Sequence, residues 1–438
     1  MKTGSAGMVL FGTLLLGLSS AASNLGAPAP TGPGSWSGTS AMLAGRAEHT
    51  ATRLFSGEVV VTGGTDGRDH GLSVTELFNP RTNRWGAGPA MSSPRIDHTA
   101  TLLLDGRVLV TGGFDRLDQS ERTLASTEIF DSGRNRWTPT SRMIVARARH
   151  TATLLANGSV LVVGGYSAPT PGKLGGFVTR AEVYDPQANR WSETGGMGTG
   201  GRQGHSATRL IDGRVLVAGG EGTLGGNPSA EIYDPASNSW AFVSPILALH
   251  VSHTATLLEG GRVLVLGGAG TISPTLNEPV GLDTAEIYDP PTDHWSLLRP
   301  MHTTRDHHTA TLLRAGRVLV IGGTFTSTPL PELFDLPANA WQPVLGASMI
   351  RYAHTATLLD DGRVLVAGGY NTQSMASAWI YDPSGRPSST PGTAVRWAFA
   401  IPVVAIAVVG GLVLGWRRRI LRLPSWPSHG RDDAWIDP

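Results

Sequence analysis

The chain of 438 residues contains no cysteine. That excludes disulfides, thiolate metal sites and cysteine nucleophiles. Lysine occurs only at Lys2 and Lys173, and charged residues make up 16% of the chain with a formal net charge of +1. Nothing in that balance supplies a basic face for phosphates, so nucleic acid is not an expected partner. The sequence has no convincing nucleophile elbow, phosphate-cradling loop or zinc-protease helix, and the residues call for no cofactor. The lack of cysteine does not argue against an oxidising compartment. A chain this long can bury enough surface to hold without covalent staples.

Long apolar runs are confined to the two ends. Residues 1–22 read as a signal peptide: Lys2, an apolar run from Met8 to Leu18, then small residues at Ser20, Ala21 and Ala22. The run is shorter than the ~20 residues a bilayer takes. Residues 397–416 are apolar from Trp397 to Trp416, with a tryptophan at each end where an interfacial belt would place it. Arg417, Arg418, Arg419 and Arg422 follow, which predicts a cytoplasmic tail over 417–438. The expected topology is a single-pass cell-membrane protein with the rest of the chain extracytoplasmic. Linkers are expected over 23–35 and 384–396.

Between the ends the sequence repeats itself about every 50 residues. His-Thr-Ala-Thr-Leu-Leu begins at His98, His150, His253, His308 and His354, with variants at His49 and His205. Each is followed by an apolar run and a glycine pair, then a loop of uneven length. A segment of the type Ala-Glu-Ile-Tyr-Asp-Pro comes next, and then a tryptophan (Trp85, Trp137, Trp191, Trp240, Trp295, Trp341). Each unit therefore predicts four short strands, a to d. Asp105-Gly106 and its equivalents predict type I′ hairpins between a and b. Strand b is apolar on both sides, so both faces should be buried between copies of the same sheet. Four strands per unit at this period predict a radial propeller.

The seventh unit ends at Tyr381-Asp382-Pro383 with no tryptophan strand after it. At the front, Trp36 and Met42 stand at the spacing of Trp191 and Met197. The N-terminal segment is therefore expected to supply strand d of the last blade and close the ring, which removes free sheet edges.

The glycine pair, the aromatic of strand c and the tryptophan of strand d resemble kelch repeats. The His-Thr-Ala-Thr-Leu-Leu-x-Asp-Gly-Arg-Val-Leu-Val-x-Gly-Gly form resembles bacterial members and the propeller of galactose oxidase. The resemblance covers residues 36–383. The fold class expected is all-β: a seven-bladed kelch-type β-propeller closed by an N-terminal strand, plus one C-terminal transmembrane helix. Propellers of this family serve as sugar oxidases, sugar-acid epimerases, adhesion modules and protein-binding adaptors, so fold does not choose the function. Galactose oxidase builds its cofactor from a cysteine joined to a tyrosine, and a chain without cysteine cannot form it.

Residues repeated in every blade read first as scaffold. The marker histidines would be spread around a ring and cannot converge on one ion. Glu76, Glu128, Glu182, Glu231, Glu286 and Glu332 are expected between blades, paired with arginine or histidine, because a lone buried carboxylate is costly. Trp379 takes that position in blade seven. Three residues before each marker histidine stand Arg46, Arg95, Arg147, Arg202, Arg305 and Arg351, with His250 in the remaining blade. In some kelch binders arginines here line the channel entrance and hold acidic ligands, so the resemblance implies a collar able to grip carboxylates. Pairing with the repeated glutamates is the alternative.

Strand alternation places the b–c and d–a loops on one face, and variable loops on a rigid scaffold are where recognition resides. Phe114, Tyr166, Phe177, Phe325 and Tyr370 are its candidate anchors. Glu48, Asp97 and Asp306 are expected near the channel mouth. His302, Asp306 and His307 are weak candidates for a zinc or copper site, against the commoner reading of exposed loop histidines; no metal is assigned. The leading expectation is a cell-surface recognition, adhesion or scaffold module binding a protein or glycan through the loop face. The alternative is an extracytoplasmic carbohydrate enzyme, an epimerase-like protein acting on a sugar acid held by the collar.

Overall fold

The computed structural model describes residues 34–385, except 69, 117–120, 171–173, 224, 273–278, 324–328 and 347–348. The signal peptide expected over 1–22 and the helix expected over 397–416 lie outside the described residues. Among the described residues no helix is long and apolar enough to cross a membrane.

Seven four-stranded antiparallel sheets are arranged as the repeats predict. In blade two, for example, strand a is Thr99–Leu102, b Val108–Thr111, c Thr127–Asp131 and d Arg136–Pro139. The a strands of successive blades are neighbours all the way round, and Thr50–Arg53 of blade one lies beside Thr355–Leu358 of blade seven. Strand a is therefore innermost. Strand b is buried throughout, as in Val59–Thr62 and Val263–Leu266. The apolar cores lie between blades. Leu216 and Ile232 of blade four meet Val263, Val265, Tyr288 and Trp295 of blade five in one cluster.

The ring closes as the sequence predicts. Ser35–Gly38 pairs with Ala378–Asp382, with Trp36 opposite Tyr381 and Gly38 opposite Trp379. Every blade carries the same cross-strand aromatic pair, from Phe334–Trp341 at 4.6 Å to Phe130–Trp137 at 5.1 Å. Trp36–Tyr381, at 5.0 Å, is the seventh.

The a–b turns correct one expectation. Within the blade-two a–b turn only Gly106 has positive φ, 84°, and its N–H donates to the carbonyl of Leu103 at 3.0 Å. Leu103 N–H in turn donates to the Arg107 carbonyl at 2.8 Å. This is a three-residue loop, a type I turn closed by a left-handed glycine, and not a type I′ hairpin. Asp105 keeps negative φ because its carboxylate accepts from Arg107 N–H at 3.0 Å.

The b–c loops also contain structure of their own. Among the described residues four of them form two-stranded ribbons, including Phe114–Arg116 with Glu121–Thr123 and Tyr166–Ser167 with Gly176–Phe177.

Candidate functional site

The arginine collar is not an open one. Arg46, Arg95, Arg147, Arg202 and Arg305 are fully buried, and Arg351 is 2% exposed. Each of the first five reaches the glutamate of its own blade. Arg46 pairs with Glu76 at 2.5 Å, Arg95 with Glu128 at 2.9 Å and Arg147 with Glu182 at 2.6 Å. Arg202 pairs with Glu231 at 3.0 Å and Arg305 with Glu332 at 2.7 Å. His250 takes the same place, 2.9 Å from Glu286. The second glutamate oxygen accepts backbone N–H groups of the d–a loop, as from Ile144 to Glu182 at 2.6 Å. Burial lowers the arginine pKa values, and the adjacent carboxylates oppose the shift. These guanidiniums are internal struts. Nε of Arg46, Arg95, Arg202 and Arg305 has no hydrogen-bond partner, but it is buried, and these side chains lack the exposure that gripping a sugar acid from solvent requires.

Inter-blade ladders surround the axis. Nε2 of each marker histidine lies 2.9 to 3.0 Å from a Thr or Ser hydroxyl of the preceding blade's strand a: His98 to Thr50, His150 to Thr99, His205 to Thr151, His253 to Ser206, His308 to Thr254, His354 to Thr309 and His49 to Thr355. Burial lowers the pKa of all seven, and His98, His205 and His308 fall to about 3. The ring is neutral at pH 7. A parallel ladder joins the second glycine of each pair to the next blade, as Gly113 N–H to the Arg147 carbonyl at 2.9 Å and Gly369 N–H to the Arg46 carbonyl at 2.8 Å. Gly113 has φ 99°, and a Cβ there would stand 2.9 Å from the Ile96 carbonyl. Only glycine combines that backbone with that approach.

The channel mouth is built by the residue just before each marker histidine. Glu48, Asp97, Arg149, Gly204, Ser252, His307 and Ala353 all have positive φ, between 48° and 63°. Their backbones form six links of a third circle, which is open between Arg149 and Gly204. Asp97 N–H donates to the Glu48 carbonyl at 3.4 Å, Arg149 to Asp97 at 3.0 Å, Ser252 to Gly204 at 2.8 Å and His307 to Ser252 at 3.2 Å. Ala353 donates to His307 at 3.2 Å and Glu48 to Ala353 at 3.0 Å. All seven reach solvent at least in part.

Asp97 and Asp306 lie at the mouth, as the sequence led us to expect, and each has a basic partner there. Asp97 pairs with Arg149 at 2.9 Å, and Asp306 lies 3.4 Å from His307 Nδ1. Asp97, with Glu48 and Glu221, raises the Arg149 pKa. Burial would lower His307, but Asp306, Asp97 and Glu48 outweigh it and raise its pKa. The mouth is thus polar and leans acidic, the opposite of the implied collar. Arg149 was not singled out by the sequence because the residue at its repeat position changes from blade to blade.

The candidate anchors divide. Phe114 is only 3% exposed. It packs on Ile96 and Ala148 beneath Arg149, 5.5 Å from that guanidinium, and is a support, not a contact residue. Tyr166 and Phe177 form a half-buried pair at 6.2 Å, and Tyr370 lies 5.4 Å from Tyr352. Phe325 lies outside the described residues. The three metal candidates do not converge. His302 turns to Glu332, 2.5 Å from Nδ1, while Asp306 and His307 stay at the mouth. Among the described residues no three metal-ligating side chains form a group. On the opposite face the a–b turns expose Phe55, Leu104 and Ile211, each more than 60% exposed.

Residues 36–220 match the KLHDC2/KLHL20/DRC7 Kelch-repeats domain, and residues 351–386 match the Kelch motif. An F-box/kelch-repeat protein of Arabidopsis thaliana is 30% identical over 131 residues, 28% of this chain, and the chain spans only 34% of that relative's length. A fungal alcohol oxidase of the AA5 family, in complex with copper, superposes with a TM-score of 0.64 at 20% identity, over 80% of this chain and 77% of that one. YjhT superposes with a TM-score of 0.55 at 16% identity, over 69% of this chain and all but 1% of YjhT, 99% being covered. At these identities the two structures bear on fold alone.

Proposed function

Because the chain is a kelch-repeat β-propeller, we propose that it works as a recognition module, binding a protein partner through the face that carries the b–c and d–a loops. One observation carries this reading. The backbone at the mouth is the same in every blade, but its side chains are seven different residues: Glu48, Asp97, Arg149, Gly204, Ser252, His307 and Ala353. The residue after each is always the marker histidine, and the residue two before each is arginine in six blades and His250 in the other. A fixed frame presenting a varied surface is what selective recognition needs. Tyr166 and Tyr370 border it as amphipathic anchors.

Display outside the cell rests on the apolar segment 397–416 and the arginines after it. An adhesive or scaffolding role at the cell surface follows from that placement. The epimerase-like alternative loses its chemical basis, because five of the six arginines it depended on are buried against glutamates.

The test is capture from envelope extract with the biotinylated full-length chain. Tyr166→Ala with Tyr370→Ala is expected to abolish recovery of a specific protein. Phe55→Ser with Leu104→Ser, on the opposite face, is expected to leave it unchanged. The reverse pattern would move the partner to the a–b face, and recovery of a glycan alone would overturn the protein-binding reading.

A further inference from the structure

The face opposite the loops carries an apolar arc that the fold does not require. In each a–b turn a buried leucine, from Leu54 in blade one to Leu359 in blade seven, is followed by an exposed residue. In blades one to four that residue is Phe55, Leu104, Ala156 and Ile211. In blades five to seven it is Glu259, Arg314 and Asp360, so the turn itself accepts polar side chains. The four apolar residues are contiguous. Phe55 lies against Gly106 in the turn that carries Leu104, and Leu104 against Gly158 in the turn that carries Ala156. Ala156 faces Gly213 in the turn that carries Ile211, and Ile211 lies against Gly261 of blade five. The charges beside the arc pair within the face, Arg107 with Asp105, Arg214 with Asp212 and Arg53 with Asp360. An exposed apolar surface with a polar rim marks a contact surface.

The course of the chain points to what covers it. Val364, which opens strand b after the blade-seven a–b turn, stands opposite Tyr381, so strand c of that blade ends at Asp382 on the a–b side. The turns of that side touch one another there: Arg363 Nη2 donates to the Pro80 carbonyl, in the c–d turn of blade one, at 3.3 Å. The described residues stop at Gly385. Eleven residues, 386–396, separate it from the apolar segment 397–416, and a stretch of that length reaches no more than about 40 Å.

We infer that the a–b face is a membrane-contact surface, with Phe55, Leu104, Ala156 and Ile211 lying among the headgroups of a phospholipid bilayer. The inference rests on the reading of 397–416 as an anchor given above. A chain that leaves from the a–b side on so short a tether presents that side to the bilayer and leaves the b–c and d–a loops facing away, open to a partner. A few apolar side chains set in a polar rim suit the interface and not the hydrocarbon core.

The chain lacks cysteine, so single cysteines can carry an environment-sensitive nitrobenzoxadiazole probe. Phe55→Cys, Leu104→Cys and Ile211→Cys are compared with Leu43→Cys and Ile144→Cys on the loop face, each in the full-length protein reconstituted into phosphatidylcholine vesicles with nitroxide-labelled headgroups. Probes at the first three positions are expected to lose at least about half their fluorescence relative to nitroxide-free vesicles, and the loop-face probes almost none. With Phe55→Ser, Leu104→Ser and Ile211→Ser combined, a probe at Ala156→Cys is expected to escape quenching. Co-flotation with the vesicles reads the anchor separately. A chain that does not float overturns the display reading and this one with it. If the chain floats, this inference alone is overturned by unquenched probes on the arc, by equal quenching on the loop face, or by an Ala156→Cys probe still quenched in the triple-serine chain. A blue shift of the arc probes without quenching also overturns it, since that would place a protein surface on the arc.

Discussion

Trp36 stacks on Tyr381 at a centroid distance of 5.0 Å, although 344 positions (381 minus 36, less one) separate them in the chain. The contact joins the two ends of the propeller in one sheet. Deleting residues 34–44 should therefore cost far more than a terminal trim. It removes four ladder positions, the aromatic pair and Met42, which lies in the core between blades seven and one. The expected result is a midpoint lower by many degrees, or loss of a single cooperative transition. Trp36→Ala alone should cost about 3 kcal/mol. Differential scanning calorimetry would check both, and an unchanged melt would refute the closure.

The histidine ring makes stability depend on pH. A group whose pKa falls on folding is neutral in the fold while the unfolded chain takes up a proton. Its stabilising contribution is therefore complete above the unfolded value, near 6.5, and erodes as pH falls toward 3, the folded value of His98, His205 and His308. Each histidine contributes a slope of about 1.4 kcal/mol per pH unit in that window. The urea midpoint should fall steeply between pH 6.5 and pH 5, and His98→Gln should reduce the slope. A flat profile over that range would mean the ring is already hydrated or charged.

The buried pairs predict an asymmetry. Glu182→Gln leaves Arg147 fully buried without its counter-charge. The expected loss is about 3–5 kcal/mol in urea unfolding. Arg147→Met combined with Glu182→Leu should recover much of it, because the pair as a whole contributes little net stability. A Glu182→Gln protein as stable as wild type would reopen the idea that these arginines act at the surface.

At the mouth, His307 should titrate above its ordinary value near 6.5, because Asp306, Asp97 and Glu48 favour the imidazolium. Asp306→Asn should bring it down, and Asp97→Asn should do so to a smaller degree. Proton–carbon NMR of the imidazole signals reads this directly. A titration below 6.5 in the wild type would mean that burial outweighs the acids.

The glycine ladder gives a local test. Gly113→Ala forces a Cβ to within 2.9 Å of the Ile96 carbonyl at φ 99°. A loss of at least 2 kcal/mol is expected from the strained backbone and the clash together, on the order of a core disruption. Gly86→Ala, where a Cβ meets nothing within 4 Å, should be close to neutral.

The sequence by itself determined the blade count, the four strands of each blade and the N-terminal closure. These follow from periodic signals, the marker histidine, the double glycine, the tryptophan and the apolar b strand, and periodicity survives in one dimension. It also exposed Trp379 as the one break in the glutamate series. Only the tertiary structure decided what the arginines do. A residue three positions before a strand has no orientation in sequence, and it took the ring to show the guanidiniums turned inward under the loops. The a–b turn likewise depended on geometry, since Asp-Gly serves two turn types and the Asp105 contact with Arg107 N–H selects the three-residue loop. The mouth, too, was only partly legible. Glu48, Asp97, Arg149 and His307 share a repeat position, just before the marker histidine, but not a residue type, and closing the seven blades into a circle is what places them around one axis.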